Sequence, residues 1–382
     1  MLERLANFFT SLLLTVVLLA LGLVLVFWGT MAQVHLGLYQ AQNEFFRSFF
    51  IYLSPAESGL RIPVFPGGYL IGSLLLANLL VYNLRFDRSG QRKLGLVVIH
   101  IGVGLLLIGQ LLTDVFSTES MMHLRNGETR NYSESASCFE LAVVDKTEVT
   151  TDQVVAIPEA LLQRQTALRH PNLPFNIQIR TFYNNSVLME KPQEGFTQLN
   201  TSAGFGAGFW WRELPHEAAT DRRDTPSAIV ELLAPQGSLG TYLVSAYLNQ
   251  PQVLNFNGRQ YELMLRPERF YKPFNLHLVE FRHDKYPGTD IPKNFSSRVR
   301  VQRPDTGEDR EVLIYMNNPL RYDGDTYYQA SFDTDNQGTV LQVVHNPSWL
   351  TPYFSCVLVG MGLVWQFLHH LFEFATKKRN AS

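Results

Sequence analysis

An imidazole stands in the middle of an uncharged apolar run: His100, within residues 94–113. A run of that length suits a bilayer-crossing helix, which needs about 20 mostly apolar residues. An ionisable side chain inside such a helix is costly and normally faces a partner, a cavity or a bound group. A second feature of the same kind, the pair His369-His370, lies in a later apolar segment. Neutral imidazole ligates iron well, and two axial histidines suit a b-type haem, whose apolar surface makes the site tolerable in lipid. His100 and His370 are each about two helical turns, roughly 10 Å, from a flanking lysine (Lys93 and Lys377), so similar depths toward the inner leaflet are expected. His369 and His370 point about 100° apart, so at most one of them can meet His100. Gly104, one turn on from His100, offers room for a flat macrocycle or a close approach for another helix. A plainer reading also exists for each histidine: His100 hydrogen-bonded across helices, and His369-His370 reaching toward the headgroups.

These residues must be positioned by membrane helices. Four segments, 5–31, 64–84, 94–113 and 350–372, are apolar, uncharged and near or above span length. The first is too long for the apolar part of a signal peptide and no small-residue cleavage site follows it, so it reads as a retained span. Gly95, Gly102 and Gly109 recur at heptad spacing on one stripe of the third segment, where small residues let helices approach closely; His100 lies on another face. Arg85, Arg88, Arg92 and Lys93 crowd the loop before that segment, and Lys377, Lys378 and Arg379 follow the fourth. Excess basic charge marks the cytoplasmic side, so both termini are expected inside and residues 114–348 outside. The aromatic stretch 45–52 reads as a short amphipathic helix along the outer interface.

Residues 114–348 have the composition of a soluble domain with short alternating runs (175–179, 227–232, 261–265, 275–278, 312–315 and 339–344) separated by Gly, Pro, Asn and Asp, the pattern of β-strands and turns. A helical patch is expected at 158–165. Pro174-Phe175-Asn176-Ile177-x-Ile179-x-x-Phe182 is echoed by Pro273-Phe274-Asn275-Leu276-x-Leu278-x-x-Phe281, which suggests two related β units, about 118–235 and 236–347. The expected fold is therefore membrane α-helical, four transmembrane helices, with a large mostly-β extracytoplasmic domain inserted between helices three and four. Its divisions are 1–113, 114–348 and 349–382.

Several activities are excluded. A net charge of −2 lacks the basic footprint of a nucleic-acid binder. The two cysteines, Cys138 and Cys356, form neither C-x-x-C nor C-x-x-C-H, so neither a thioredoxin-like redox site nor covalent haem c is indicated. No hydrolytic triad, H-E-x-x-H or phosphate loop stands out. His35, His123 and His345 fall just outside spans and would mark a second, outer haem site if they gathered; otherwise they are solvated surface groups. Trp210-Trp211, after a Gly-Phe-rich run, suits either an apolar contact loop or core packing.

The segment Asn317-Asn318-Pro319-Leu320-Arg321-Tyr322-Asp323-Gly324-Asp325-Thr326-Tyr327-Tyr328-Gln329-Ala330-Ser331-Phe332 resembles a signature of ResB-type cytochrome c biogenesis proteins, as does Tyr286-Pro287-Gly288-Thr289-Asp290-Ile291-Pro292-Lys293-Asn294-Phe295-Ser296-Ser297. On residue chemistry alone the former is a β-hairpin whose turn is set by Pro319 and Gly324. The resemblance covers the layout of the whole chain, including Gly29-Thr30-Met31-Ala32-Gln33 at the end of the first span. It implies a bacterial inner-membrane, System II subunit that is non-catalytic alone and acts with a CcsA/ResC-type partner in a holocytochrome c synthase. It implies that haem b is carried or held, kept reduced and presented to apocytochrome c for thioether attachment, with His100 as one axial ligand and the other from the partner. The tryptophan-rich motif for an outer haem belongs to the partner and is absent here. His369 or His370 remains an internal second ligand, which keeps open a b-type electron carrier held within one chain; a haem-free scaffold for apocytochrome or partner is the third reading.

Overall fold

The computed structural model describes residues 2–53, 62–85, 94–148, 151–164, 167–215, 224–288 and 292–380. The chain forms two compact units: one from both ends, up to Ser117 and from Asn346, the other lying between Thr118 and His345. The loop carrying Arg88, Arg92 and Lys93 lies outside the described residues, as do Thr289, Asp290 and Ile291 of the second signature.

The membrane unit contains α1 (Leu2–Phe9), α2 (Leu12–Leu36), α3 (Leu38–Ala41), a π-helical turn (Gln42–Phe46), the hairpin β1 (Phe50–Leu53) and β2 (Ile62–Pro66), α4 (Gly68–Arg85), α5 (Leu94–Phe116) and α7 (Thr351–Asn380). Leu12–Leu36, Leu94–Phe116 and Thr351–Thr376 are long and apolar enough to cross a membrane, and Gly68–Leu84 is apolar but shorter. The expected first span is broken at Thr10 and Ser11, where the Thr10 hydroxyl donates to the Ala6 carbonyl and Ser11 is extended. The second begins at Gly68, because Val64–Pro66 pairs with the aromatic run Phe50–Leu53 as a hairpin. The expected interfacial helix over 45–52 is thus a π-helical turn followed by a strand. Aromatic and β-branched side chains favour that outcome, and proline is tolerated on an edge strand.

α5 and α7 pack antiparallel along the heptad glycines. A methyl group at Gly95 would lie 2.8 Å from the Gly362 carbonyl, one at Gly102 2.7 Å from Val359, and one at Gly109 2.6 Å from Thr351. Thr113 and Ser348 hydroxyls meet at 2.8 Å at the outer end. The stripe read from the sequence is therefore the contact that brings these two helices together.

The β unit contains β3 (Thr118–Arg125), β4 (Thr129–Asp145), β5 (Gln153–Pro158), α6 (Glu159–Leu162), β6 (Ala167–Leu168), β7 (Asn176–Tyr183), β8 (Ser186–Met189), β9 (Thr197–Gln198), β10 (Trp210–Glu213), β11 (Ser227–Ala234), β12 (Gly237–Ser245), β13 (Gln252–Phe256), β14 (Arg259–Lys285), β15 (Pro292–Arg303), β16 (Glu308–Tyr315), β17 (Leu320–Tyr322), β18 (Asp325–Phe332) and β19 (Gly338–His345). The main antiparallel sheet runs β16-β15-β14-β4-β3-β19-β18-β17, and a smaller one β12-β11-β7-β6. Two cores result. The first joins the smaller sheet to β4, β5, β13 and the start of β14; the second lies between β3, the end of β14 and β15–β19. The echoed segments lie one in each: Phe175, Ile177, Ile179 and Phe182 in the first, Phe274, Leu276, Leu278 and Phe281 in the second. β14 serves both cores, so two runs expected as separate strands, 261–265 and 275–278, are one.

The 317–332 motif forms the β17–β18 hairpin, with Asp323 and Gly324 both at positive φ (53° and 82°). That is the two-residue turn whose twist matches the strands it joins. Trp211 is buried beside Tyr183, with ring centroids 4.4 Å apart, so core packing accounts for it. Cys138 and Cys356 are free.

Candidate functional site

His100 is half-buried on the face of α5 turned to α4. Tyr82 meets it edge-on, ring centroids 5.1 Å apart. Its Nδ1 is buried and has no hydrogen-bond partner. An imidazole nitrogen left so in an apolar helix costs free energy unless something else satisfies the ring, and a metal bond is one way to do so. The donor type fits haem iron. The cradle expected at Gly104 does not: a methyl group there would lie 3.3 Å from Leu79, so α4 occupies that side.

The glycine stripe also gives the register of α5 against α7. Gly362 lies against Gly95 and Ile99, which puts His100 level with the turn before Gly362. His369 and His370 then lie about ten residues, roughly 15 Å, further along the pair. Metal–imidazole bonds are about 2 Å long, so the expected pairing of His100 with His369 or His370 on one iron does not form. Instead Gln366 Nε2 lies 2.8 Å from His370 Nε2, and His369 Nε2 is 3.9 Å from Glu373. The equal-depth argument fails because the glycine register carries α7 well past the level at which α5 begins at Leu94, so the lysines that flank the two helices do not mark one depth.

Of the three histidines expected outside the spans, His123 and His345 are separately engaged. His123 Nε2 bonds both Asp333 oxygens at 2.9 Å, and His345 Nδ1 bonds Asp325 at 2.9 Å. The β3–β19 register, with His345 opposite Thr118 and Val340 opposite His123, keeps the two histidines about 17 Å apart. Asp325 is buried and also accepts from Lys272 at 2.6 Å.

The sequence reading missed a cleft in the membrane unit, at the C-terminal ends of α2 and α5 and the N-terminal end of α4. It has a volume of about 580 Å³ and lies between the ends of α2, α4 and α5 and the π-helical turn. Its rim holds Arg47, whose Nε donates to Asp114 at 2.6 Å, and Tyr69, whose hydroxyl donates to the other Asp114 oxygen. His100, Gly104, Leu107, Leu111 and Asp114 follow one helical stripe, so the imidazole and the cleft share the α4/α5 seam. The charged Asp114 ending an apolar run on the stripe of His100 was the available signal.

Two comparisons bear on this arrangement. Residues 256–346 match the model of the ResB-like family. This segment holds the end of β13, all of β14–β19 and most of the second core. The chain is thus ResB-like over this segment, as the 317–332 motif implied. Over 279 residues, 70% of this chain, it is 28% identical to Protein NrfI of Wolinella succinogenes. That match spans 27% of the relative's length.

Proposed function

We propose that this chain is a membrane subunit of c-type cytochrome biogenesis that handles haem b through His100. The ResB-like segment and the likeness to Protein NrfI support the biogenesis role. The observation that carries the haem reading is the buried Nδ1 of His100, which has no hydrogen-bond partner, in a ring met edge-on by Tyr82. Neutral His100 would hold the haem iron through an imidazole nitrogen, with Tyr82 packed edge-on against the ring. The bound haem supplies the macrocycle that becomes thioether-linked to the apocytochrome. The α5/α7 register speaks for a second ligand from outside this chain, which a CcsA/ResC-type partner would provide. The orientation follows the basic loops: inner membrane, both termini cytoplasmic, β unit outside.

The test is to purify the chain alone and co-expressed with a CcsA-type protein, and to record pyridine-haemochrome and reduced-minus-oxidised spectra of each. A low-spin haem in the complex that is lost with His100→Ala is the expected outcome. Equal haem in wild type and His100→Ala, or undiminished c-type cytochromes after deletion, would overturn it.

A further inference from the structure

The cleft is built for a ligand of a different kind. Its deep wall is apolar, with Leu76 from α4 and Leu107 from α5, and its rim is polar. On α4 the lining runs from Leu76 through Ser73 to Tyr69, and on α5 from Leu107 through Gln110 and Leu111 to Asp114, so each helix passes from an apolar residue deep in the cleft to a polar one at its mouth. A molecule with an apolar tail and a polar head matches that gradient.

The charge of the head follows from the rim. Arg47 is already paired with Asp114, and Tyr69 donates to the same carboxylate. The rim is therefore neutral and has no uncommitted cation to receive a phosphate or carboxylate. What it does have is amides. Gln33 lies about one turn and Gln110 nearly two turns from the end of its helix, and Gln42 is on the π-helical turn; among the described residues, none of the three side chains makes a hydrogen bond to protein. Amide N–H groups there suit carbonyl oxygens on the incoming head.

The cleft has space to spare. A methyl group at Gly72 would meet no atom within 4 Å, so the α4 wall opens onto the cavity there. Elsewhere the hairpin and π-helical turn press glycines tightly: Gly29 against Phe46, and Gly67 and Gly68 against the backbone of Ser48 and Phe46. The void is thus confined to one side of a well-packed junction.

From the neutral rim, the unpartnered amides and the apolar wall, we propose that this cleft binds a neutral amphipathic lipid whose head carries carbonyl oxygens. Isoprenoid quinones and diacylglycerol esters share that chemistry. The inference does not depend on haem binding at His100.

The full chain in phosphatidylcholine nanodiscs would be photolabelled with an azido-quinone, with a diazirine diacylglycerol, and with a diazirine phosphatidylglycerol as charged comparator. Labelled residues are mapped by mass spectrometry. One neutral probe is expected to label residues 30–47 and 68–76 about tenfold more than the charged probe, and which one it is identifies the source of the carbonyls. Losing two amide bonds in Gln33→Leu/Gln110→Leu should lower that labelling by about tenfold. Gly72→Phe, which keeps the amides and fills the void, should lower it similarly and serves if the double variant does not fold. Equal or stronger labelling by the charged probe, labelling spread evenly around the helices, or labelling unchanged in Gly72→Phe would overturn the proposal.

Discussion

In the β unit, Arg266 and Glu140 face each other across β14 and β4 at 2.9 Å, both buried. Ser186, Ser227 and Ser245 form a hydroxyl ladder, and Ser297, Gln329 and Thr339 another. Among the described residues, Asn83 Oδ1, His100 Nδ1, Gln366 Oε1 and His369 Nε2 of the membrane unit are buried without a hydrogen-bond partner, as are two atoms of the β unit, on Thr201 and His283. The four in the membrane unit lie on α4, α5 and α7, toward the ends away from the cleft. A unit that satisfies most of its own polar groups has little left to offer a ligand. A unit that leaves more of them open within apolar helices has polar atoms free to meet one. The difference is the physical reason to look for function on the helices rather than in the larger domain.

Three substitutions would break or sharpen this contrast. The largest effect is expected from Glu140→Leu, which strands the buried Arg266 charge and should cost about 3–5 kcal/mol. Circular dichroism melts of the full chain would read it, and Glu140→Leu/Arg266→Leu should recover most of the loss. A Glu140→Leu protein melting like wild type would mean the pair is not the tight internal contact described. His100→Leu should act in the opposite direction. Removing an unpartnered polar ring from an apolar seam should raise stability by about 1 kcal/mol while abolishing haem in the co-expressed complex. A clear loss of stability in the haem-free chain would show that the imidazole has a structural partner. The smallest effect belongs to Glu268, whose carboxyl is pushed up by burial and by nearby Glu140. The folded protein holds that proton more tightly than the unfolded chain does. Its contribution is full below the ordinary value of 4.5 and is lost as pH rises through the folded value. Glu268→Gln should therefore flatten the decline in melting temperature over that window, and an unchanged pH profile would count against a buried carboxyl.

Much of the fold was legible because it rests on periodicity. The heptad of Gly95, Gly102 and Gly109 marked a close helix contact, alternation marked β7, β11, both ends of β14, β16 and β19, and Pro319 with Gly324 marked a hairpin, whose turn proves to be Asp323-Gly324. The β1–β2 hairpin was hidden because Pro63 and Pro66 read as breaks, although an edge strand accepts them. The join of two runs into β14 was hidden because Pro267 and Pro273 look like strand ends; irregular pairing with β4 accommodates them. At the candidate site, His100 stood out by composition alone. Its distance from His369 and His370 did not, because flanking charge was used as the ruler where helix register was needed. The cleft depends on segments from three parts of the chain, and no local pattern announces such a meeting.

β14 has one more consequence. Tyr261, Leu263 and Leu265 at its start anchor the first core, and Phe274, Leu276, Leu278 and Phe281 anchor the second. A single continuous strand cannot leave one core without disturbing the alignment of the other. The two halves should therefore melt together rather than in sequence, and a cut anywhere in that strand would cost the protein both.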